Sequence, residues 1–320
     1  MKTFMELYKE VEPFVQQKKY EEAFNLLTIE GPSSEIPKTV LNFYKLQILE
    51  KFKQPEELLL YMNESLNDED IWYPPFIRSF DFYKAIQSLP GFKEFYKIFE
   101  QRAHKFTKPI PKKVDVFESN QKQNRKMIIV LHGNNPYEVK SSRDILFFAG
   151  IQPILKELDY KYDIAFPESS RNGLGGIGYW YDPVEGAREI NEHINKLKST
   201  YAIKDENIIL IGFSAGAQVI LEGLLNNIFT YDKVCLFIPY FPDLERDKDK
   251  LILFKNKNIK PYIFSGDKDF CLPYAQGLST ILKVLDVDHR LVIKKDQIHW
   301  MPSDLGVYVK EALKFFKMEE

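Results

Sequence analysis

The segment Gly212-Phe213-Ser214-Ala215-Gly216 is the part of the chain best suited to bond-breaking chemistry. It follows the apolar run at 208–211 and opens a helical pattern that begins at Ala215. A serine on a tight strand-to-helix turn projects its hydroxyl from the end of a sheet, and small residues on either side let strand and helix pass closely. Chance alone places a GxSxG in about one chain in ten of this length. The position between an apolar run and a helix therefore carries more weight than the pentapeptide itself. A serine hydroxyl is a poor nucleophile at neutral pH and needs a neighbouring base. Five histidines are present. His104 lies in a helical region far upstream, His193 falls mid-helix and His289 begins a strand, whereas His132 ends a strand ahead of the serine. His299 follows the last predicted strand, in the loop Asp296-Gln297-Ile298-His299-Trp300, at the correct end of a parallel sheet, and is the candidate general base.

A histidine base needs a carboxylate to fix its tautomer and stabilise the imidazolium. The loop Ser265-Gly266-Asp267-Lys268-Asp269 offers two acids, Asp267 and Asp269, and the order Ser, Asp, His along the chain suits a strand-turn-helix nucleophile. A fourth requirement is a pair of donors for the developing oxyanion. The turn His132-Gly133-Asn134-Asn135 can aim the backbone N–H of Asn134 at that position, and Ala215, at a helix N-terminus, supplies a second N–H. His132 is then a structural residue that holds the loop. Trp180 and Tyr181 either wall a substrate pocket or pack in the core. Gly173, Gly175, Gly176 and Gly178 lack the register of a dinucleotide-binding turn and fit a mobile loop beside the pocket better.

Positioning these groups requires a scaffold, and the chain has the pattern of one. Apolar runs at 127–131, 162–166, 208–211, 234–238, 262–264 and 291–293 alternate with amphipathic stretches near 143–158, 184–200, 215–227, 274–285 and 304–317. Runs without alternation suit strands buried on both faces. Strand–helix alternation predicts an α/β domain with a doubly wound, mostly parallel sheet and its site at the carboxyl ends of the strands. Before it, residues 1–108 show helical spacing broken by prolines, with a partial likeness to a tetratricopeptide helix at 18–27 and no persistent repeat. The aromatic run from Ile71 to Phe76 is either a buried helix-joining loop, the favoured reading, or a segment packed over the pocket mouth. Pro109 and Pro111 mark the start of a second domain, 109–320.

Composition bounds the function class. The net charge is −2, from 44 basic and 46 acidic residues, which gives no overall pull toward nucleic acid or anionic membrane. Two cysteines outside any CxxC pair disfavour a zinc or dithiol centre. No apolar stretch is long enough to span a bilayer and the first residues carry no secretory pattern, so the expected location is the cytoplasm.

Five segments together resemble the carboxylesterase, phospholipase and acyl-protein thioesterase branch of the α/β-hydrolases. They are LHGNN at 131–135, GYWYD at 178–182, NIILIGFSAGA at 207–217, SGDKDFCLP at 265–273 and IHW at 298–300. The resemblance covers roughly the last 200 residues. It implies that the acid is Asp269, three residues before the hydrophobic-Pro pair, and not Asp267. The implied reaction is hydrolysis of a small-molecule ester or thioester through an acyl-enzyme on Ser214, with no metal or organic cofactor. Two alternatives differ in kind: a peptidase for small peptides using the same triad, and an adaptor whose helical module binds a protein partner beside a lapsed hydrolase.

Overall fold

Seven strands make one sheet in a computed structural model of the chain, which describes residues 2–112, 114–135, 137 and 152–318. The strands are β1 Asp115–Phe117, β2 Met127–Leu131, β3 Asp163–Phe166, β4 Ile208–Phe213, β5 Lys233–Phe237, β6 Lys260–Gly266 and β7 Arg290–Lys294. Their order across the sheet is β1-β3-β2-β4-β5-β6-β7. All neighbours run parallel except β1, which pairs antiparallel with β3. Each of the six expected strands is present within a few residues. The edge strand β1 was not expected, because it is three residues long, half-exposed and lacks an apolar run.

The unbroken apolar runs follow from cover on both faces. Met127, Ile129 and Leu131 of β2, with Ile208 and Leu210 of β4, pack into one core with α7 (Pro183–Tyr201), α8 (Ala215–Leu225) and α9 (Leu272–Val284). Ile128, Val130, Ile209, Ile211 and Phe213 point the other way, into a second core with Ile154, Leu155, Leu158 and the apolar side of α10 (Leu305–Phe315). Each such side chain contributes about 1.5–3 kcal/mol by leaving water. Of the expected helix at 143–158, residues 152–157 are helical and 143–151 lie outside the described residues. Asp182 caps α7: its carboxylate accepts from the N–H groups of Val184 and Glu185, and Pro183 takes the position where no N–H is needed.

The chain divides into two compact units. The sheet and its helices belong to the second. The first takes in residues 2–110, with helices α1 Phe4–Gln16, α2 Tyr20–Glu30, α3 Lys38–Leu49, α4 Pro55–Ser65, α5 Asp81–Ile86 and α6 Phe92–Phe106. Trp72 and Tyr73 of the aromatic run at 71–76 are buried within it; Trp72 stacks on Phe106 and the Tyr73 hydroxyl accepts from Asn42. Asn135, Tyr137 and Ser170–Gly178 also belong to this first unit, although they lie well beyond Pro109 in the chain. Tyr137 reaches the aromatic core there, its ring 5.3 Å from Tyr44 and 6.0 Å from Phe43, and Arg171 donates to the Thr107 carbonyl. The glycine-containing stretch forms a short antiparallel bridge, Asn172 to Gly178, with Leu174 and Ile177 buried. Among the described residues, no helix is long and apolar enough to cross a membrane.

Candidate active site

Ser214 sits between β4 and α8 with φ 50° and ψ −113°, a conformation that a residue with a side chain adopts only when its surroundings enforce it. Its N–H is fixed by the Phe237 carbonyl at the end of β5 (3.0 Å). The flanking glycines are required by contact. A methyl carbon on Gly216 would lie 2.5 Å from the His132 carbonyl oxygen, and one on Gly212 would lie 2.6 Å from the Ala217 nitrogen. The turn is thus tight against both its own helix and the end of β2.

His299 lies between the serine and a carboxylate. Ser214 Oγ donates to His299 Nε2 (3.0 Å), and His299 Nδ1 donates to Asp269 Oδ1 (2.7 Å). An ionised carboxylate only accepts, so the proton of the neutral ring resides on Nδ1 and leaves the Nε2 lone pair facing the serine. Asp269 is buried and also accepts from the Cys271 N–H (2.8 Å) and from Ser265 Oγ (3.0 Å). Burial works against its ionisation, but His299, the Cys271 N–H and Ser265 outweigh it and hold the carboxyl below its ordinary value of 3.8. Asp267 is exposed, so of the two acids in this loop the structure places Asp269 against the histidine.

The histidine loop has its own clamp. The Trp300 N–H bonds the Ile298 carbonyl across His299 (2.7 Å), and the Gln297 side-chain amide donates to the carbonyls of both Ile298 and Trp300 (3.0 and 2.8 Å). A side chain on Gly266 would collide with the Gln297 carbonyl, so β6 and this loop touch backbone to backbone. Ser265, Gln297 and Gly266 were not singled out from the sequence. The short spacing from Ser265 to Asp269 was the one available signal.

The loop after β2 is held by His132. The Ser169 N–H donates to its Nε2 (3.1 Å), so Nδ1 carries the hydrogen and donates to the Gly133 carbonyl (2.8 Å). Burial, above all, pushes this ring down from 6.5 to about 4. Below about pH 6.5 the unfolded chain takes up a proton that the folded ring refuses, so stability is lost as the pH falls from 6.5 toward 4. Urea unfolding at pH 7 and pH 4.5 should show a clearly smaller decrease in His132→Gln than in the native chain; equal decreases would remove His132 from the account.

Asn134 is anchored through its side chain, which donates to the Trp180 carbonyl (2.9 Å) and accepts the Trp180 N–H (2.8 Å). The backbone N–H groups of Asn134 and Ala215 meet no acceptor among the described residues. Trp180 belongs to the core. It is 4% exposed, its ring stacks on His132 at 4.7 Å, and its indole N–H donates to the His132 carbonyl (2.8 Å). That placement removes it as a pocket wall and makes it a brace for the 131–134 loop. Tyr181 is half-buried, its ring 4.6 Å from that of Tyr179.

Among the described residues, one group of metal-capable side chains stands close together: Asp269, Cys271 and His299, with ligand atoms within 4.8 Å. Two of the three already bond each other, and burial pushes the Cys271 thiol up to about 12, away from the thiolate that binds metals. The donor set does not fit a metal centre.

The Ser214 turn after β4, the Asp269 loop after β6 and the His299 loop after β7, on a sheet of this order, have the layout of the α/β-hydrolase fold. No family model matches the chain, and no curated protein matches it. Among solved structures, an uncharacterized protein from Bacillus cereus ATCC 10987 is similar over 100% of both chains, at 23% identity and a TM-score of 0.54; it shares the fold. A Bacillus cereus carboxylesterase is similar over 65% of this chain and 94% of its own, at 15% identity and a TM-score of 0.47. The feruloyl esterase module from Clostridium thermocellum is similar over 63% of this chain and 82% of its own, at 12% identity and a TM-score of 0.48.

Proposed function

We propose that this α/β-hydrolase-fold chain is a serine hydrolase that cleaves carboxylic esters or thioesters through an acyl-enzyme. The observation that carries the reading is the continuous chain of hydrogen bonds from Ser214 Oγ through His299 to the buried Asp269. In the first step His299 Nε2 takes the Ser214 proton as Oγ attacks the carbonyl carbon. The Asp269 carboxylate stabilises the imidazolium that forms. The negative charge on the former carbonyl oxygen rests on the N–H groups of Asn134 and Ala215, the latter at the positive end of α8. Collapse of the tetrahedral adduct passes the Nε2 proton to the leaving oxygen or sulfur. Water then gives a proton to Nε2 as its oxygen attacks the acyl carbon; collapse of the second adduct breaks the acyl–Oγ bond, returns the Nε2 proton to Ser214 Oγ and releases the carboxylic acid. Tyr181 is the remaining candidate for contact with substrate.

Ser265 is a positioning residue in this scheme, since its hydroxyl occupies the carboxylate oxygen that His299 leaves free. Ser265→Ala should lower kcat about tenfold, because a hydrogen bond to a buried charge contributes about 1.5–3 kcal/mol and part of that is felt in the imidazolium state. Ser265→Thr keeps the hydroxyl and should retain most of the rate. An equal loss in both variants would trace the effect to packing.

The reading is tested by a screen of acetyl, butyryl, octanoyl and palmitoyl esters and thioesters beside small peptide amides, with Ser214→Ala as the control. Hydrolysis of esters that disappears in the control supports it. Amide cleavage with inert esters would replace it with a peptidase.

A further inference from the structure

The two loops that bring the acid and the base together also carry large apolar side chains into solvent. Phe270 follows Asp269 directly and is 71% exposed, yet its ring lies 4.2 Å from the His299 ring. Ile298 and Trp300, on either side of His299, are 59% and 47% exposed. The hydrogen bond from the Trp300 N–H to the Ile298 carbonyl, with the Gln297 amide behind it, holds these two residues in one tight turn about the base. At the outer edge, Lys268 of one loop pairs with Asp296 of the other (2.6 Å), which keeps the loops together. An exposed ring packed against a candidate catalytic base, with exposed apolar side chains on the residues either side of that base, marks a surface suited to an apolar occupant.

The chemistry says which occupant. His299 Nε2 must hand its proton to the leaving atom, so that atom comes within about 3 Å of it. The acyl oxygen lies elsewhere, at the Asn134 and Ala215 N–H groups. The substituent on the leaving atom therefore passes beside the His299 ring, where Phe270 already sits. Asp267, exposed in the same loop, disfavours an anionic substituent. We infer that Phe270, Ile298 and Trp300 form a leaving-group subsite, and that the chain prefers esters of neutral aromatic or bulky apolar alcohols over those of small or anionic ones. The inference rests on the serine hydrolase reading given above.

Benzyl acetate and ethyl acetate test it. Both yield the same acetyl-enzyme, so a difference in kcat/KM arises in the acylation step, where the leaving group is still bound. The native chain should favour benzyl acetate by at least tenfold. Phe270→Ala should reduce that preference about tenfold, and Phe270→Tyr, which keeps the ring, should retain it. Phe270 is exposed, so these substitutions spare the fold, and circular dichroism checks this. A preference near one in the native chain, or one that Phe270→Ala leaves in place, overturns the subsite while ester turnover leaves the reaction class standing. A native chain that hydrolyses neither ester and takes up no fluorophosphonate at Ser214 overturns the reaction class, and the subsite with it.

Discussion

Ser214→Ala is expected to lower ester turnover by about three to six orders of magnitude, the range seen when a triad nucleophile is removed. The geometry explains why so little should remain. Ser214 Oγ is the atom that His299 Nε2 faces, and the elbow that presents it is held by the Phe237 carbonyl and by the tight passage of Gly216 past His132. Alanine fits the same turn without new contacts, so the fold and the N–H groups proposed to hold the oxyanion should persist while the proposed nucleophile is lost. A fluorophosphonate probe gives the direct measurement. The native chain should carry the label on Ser214 by peptide mass spectrometry, and the variant should carry none. Label on a different serine, or undiminished turnover in the variant, would place the nucleophile elsewhere.

The second large effect separates two acids two residues apart. Asp269→Asn should reduce kcat at least about 100-fold more than Asp267→Asn. The Cys271 N–H donates to Asp269 Oδ1, the oxygen that also meets His299. An asparagine should therefore keep its carbonyl oxygen there and turn its NH2 toward Ser265, which can accept it. The histidine tautomer would survive, but the negative charge beside the imidazolium would be gone, in a buried position where water cannot replace it. Asp267 is exposed and its backbone N–H bonds the Lys294 carbonyl, so neutralising its side chain alters little around His299. Steady-state rates of both variants on one ester, with circular dichroism to confirm folding, decide between them. Equal effects would mean that the charge of the loop matters and not the contact with His299.

Much of this site was legible in the sequence because its signals are local. GxSxG requires its glycines for close passage, and those contacts are present at Gly212 and Gly216. The strands of a sheet covered on both faces must be apolar at every position, so β2, β4 and β5 stood out, whereas β1, paired on one side and half-exposed, did not. What stayed hidden depends on contacts between distant segments. Nothing near Trp180 in the chain announces that its indole N–H will meet His132, 48 residues upstream. Tyr137 and Arg171 sit among residues of the sheet-bearing region, yet their partners are Tyr44 and Thr107. Ser265 and Gln297 act through Asp269 and through the carbonyls of the His299 turn, so their importance is set by tertiary geometry, not by residue type.

The contact between Gly266 and Gln297 ties the fates of two groups that lie 30 residues apart, Asp269 and His299. With no side chain between the two backbones there is no slack, and a displacement of either loop is transmitted to the other. Asp269 and His299 are thus joined by one backbone seam, and Ser214 and the 131–134 loop by another at Gly216. Variation that reshapes the outer faces of the acid and histidine loops, at Phe270, Ile298 or Trp300, leaves that seam untouched. If the proposed subsite holds, a lineage descended from this chain could exchange one substrate for another without renegotiating the alignment of Ser214, His299 and Asp269.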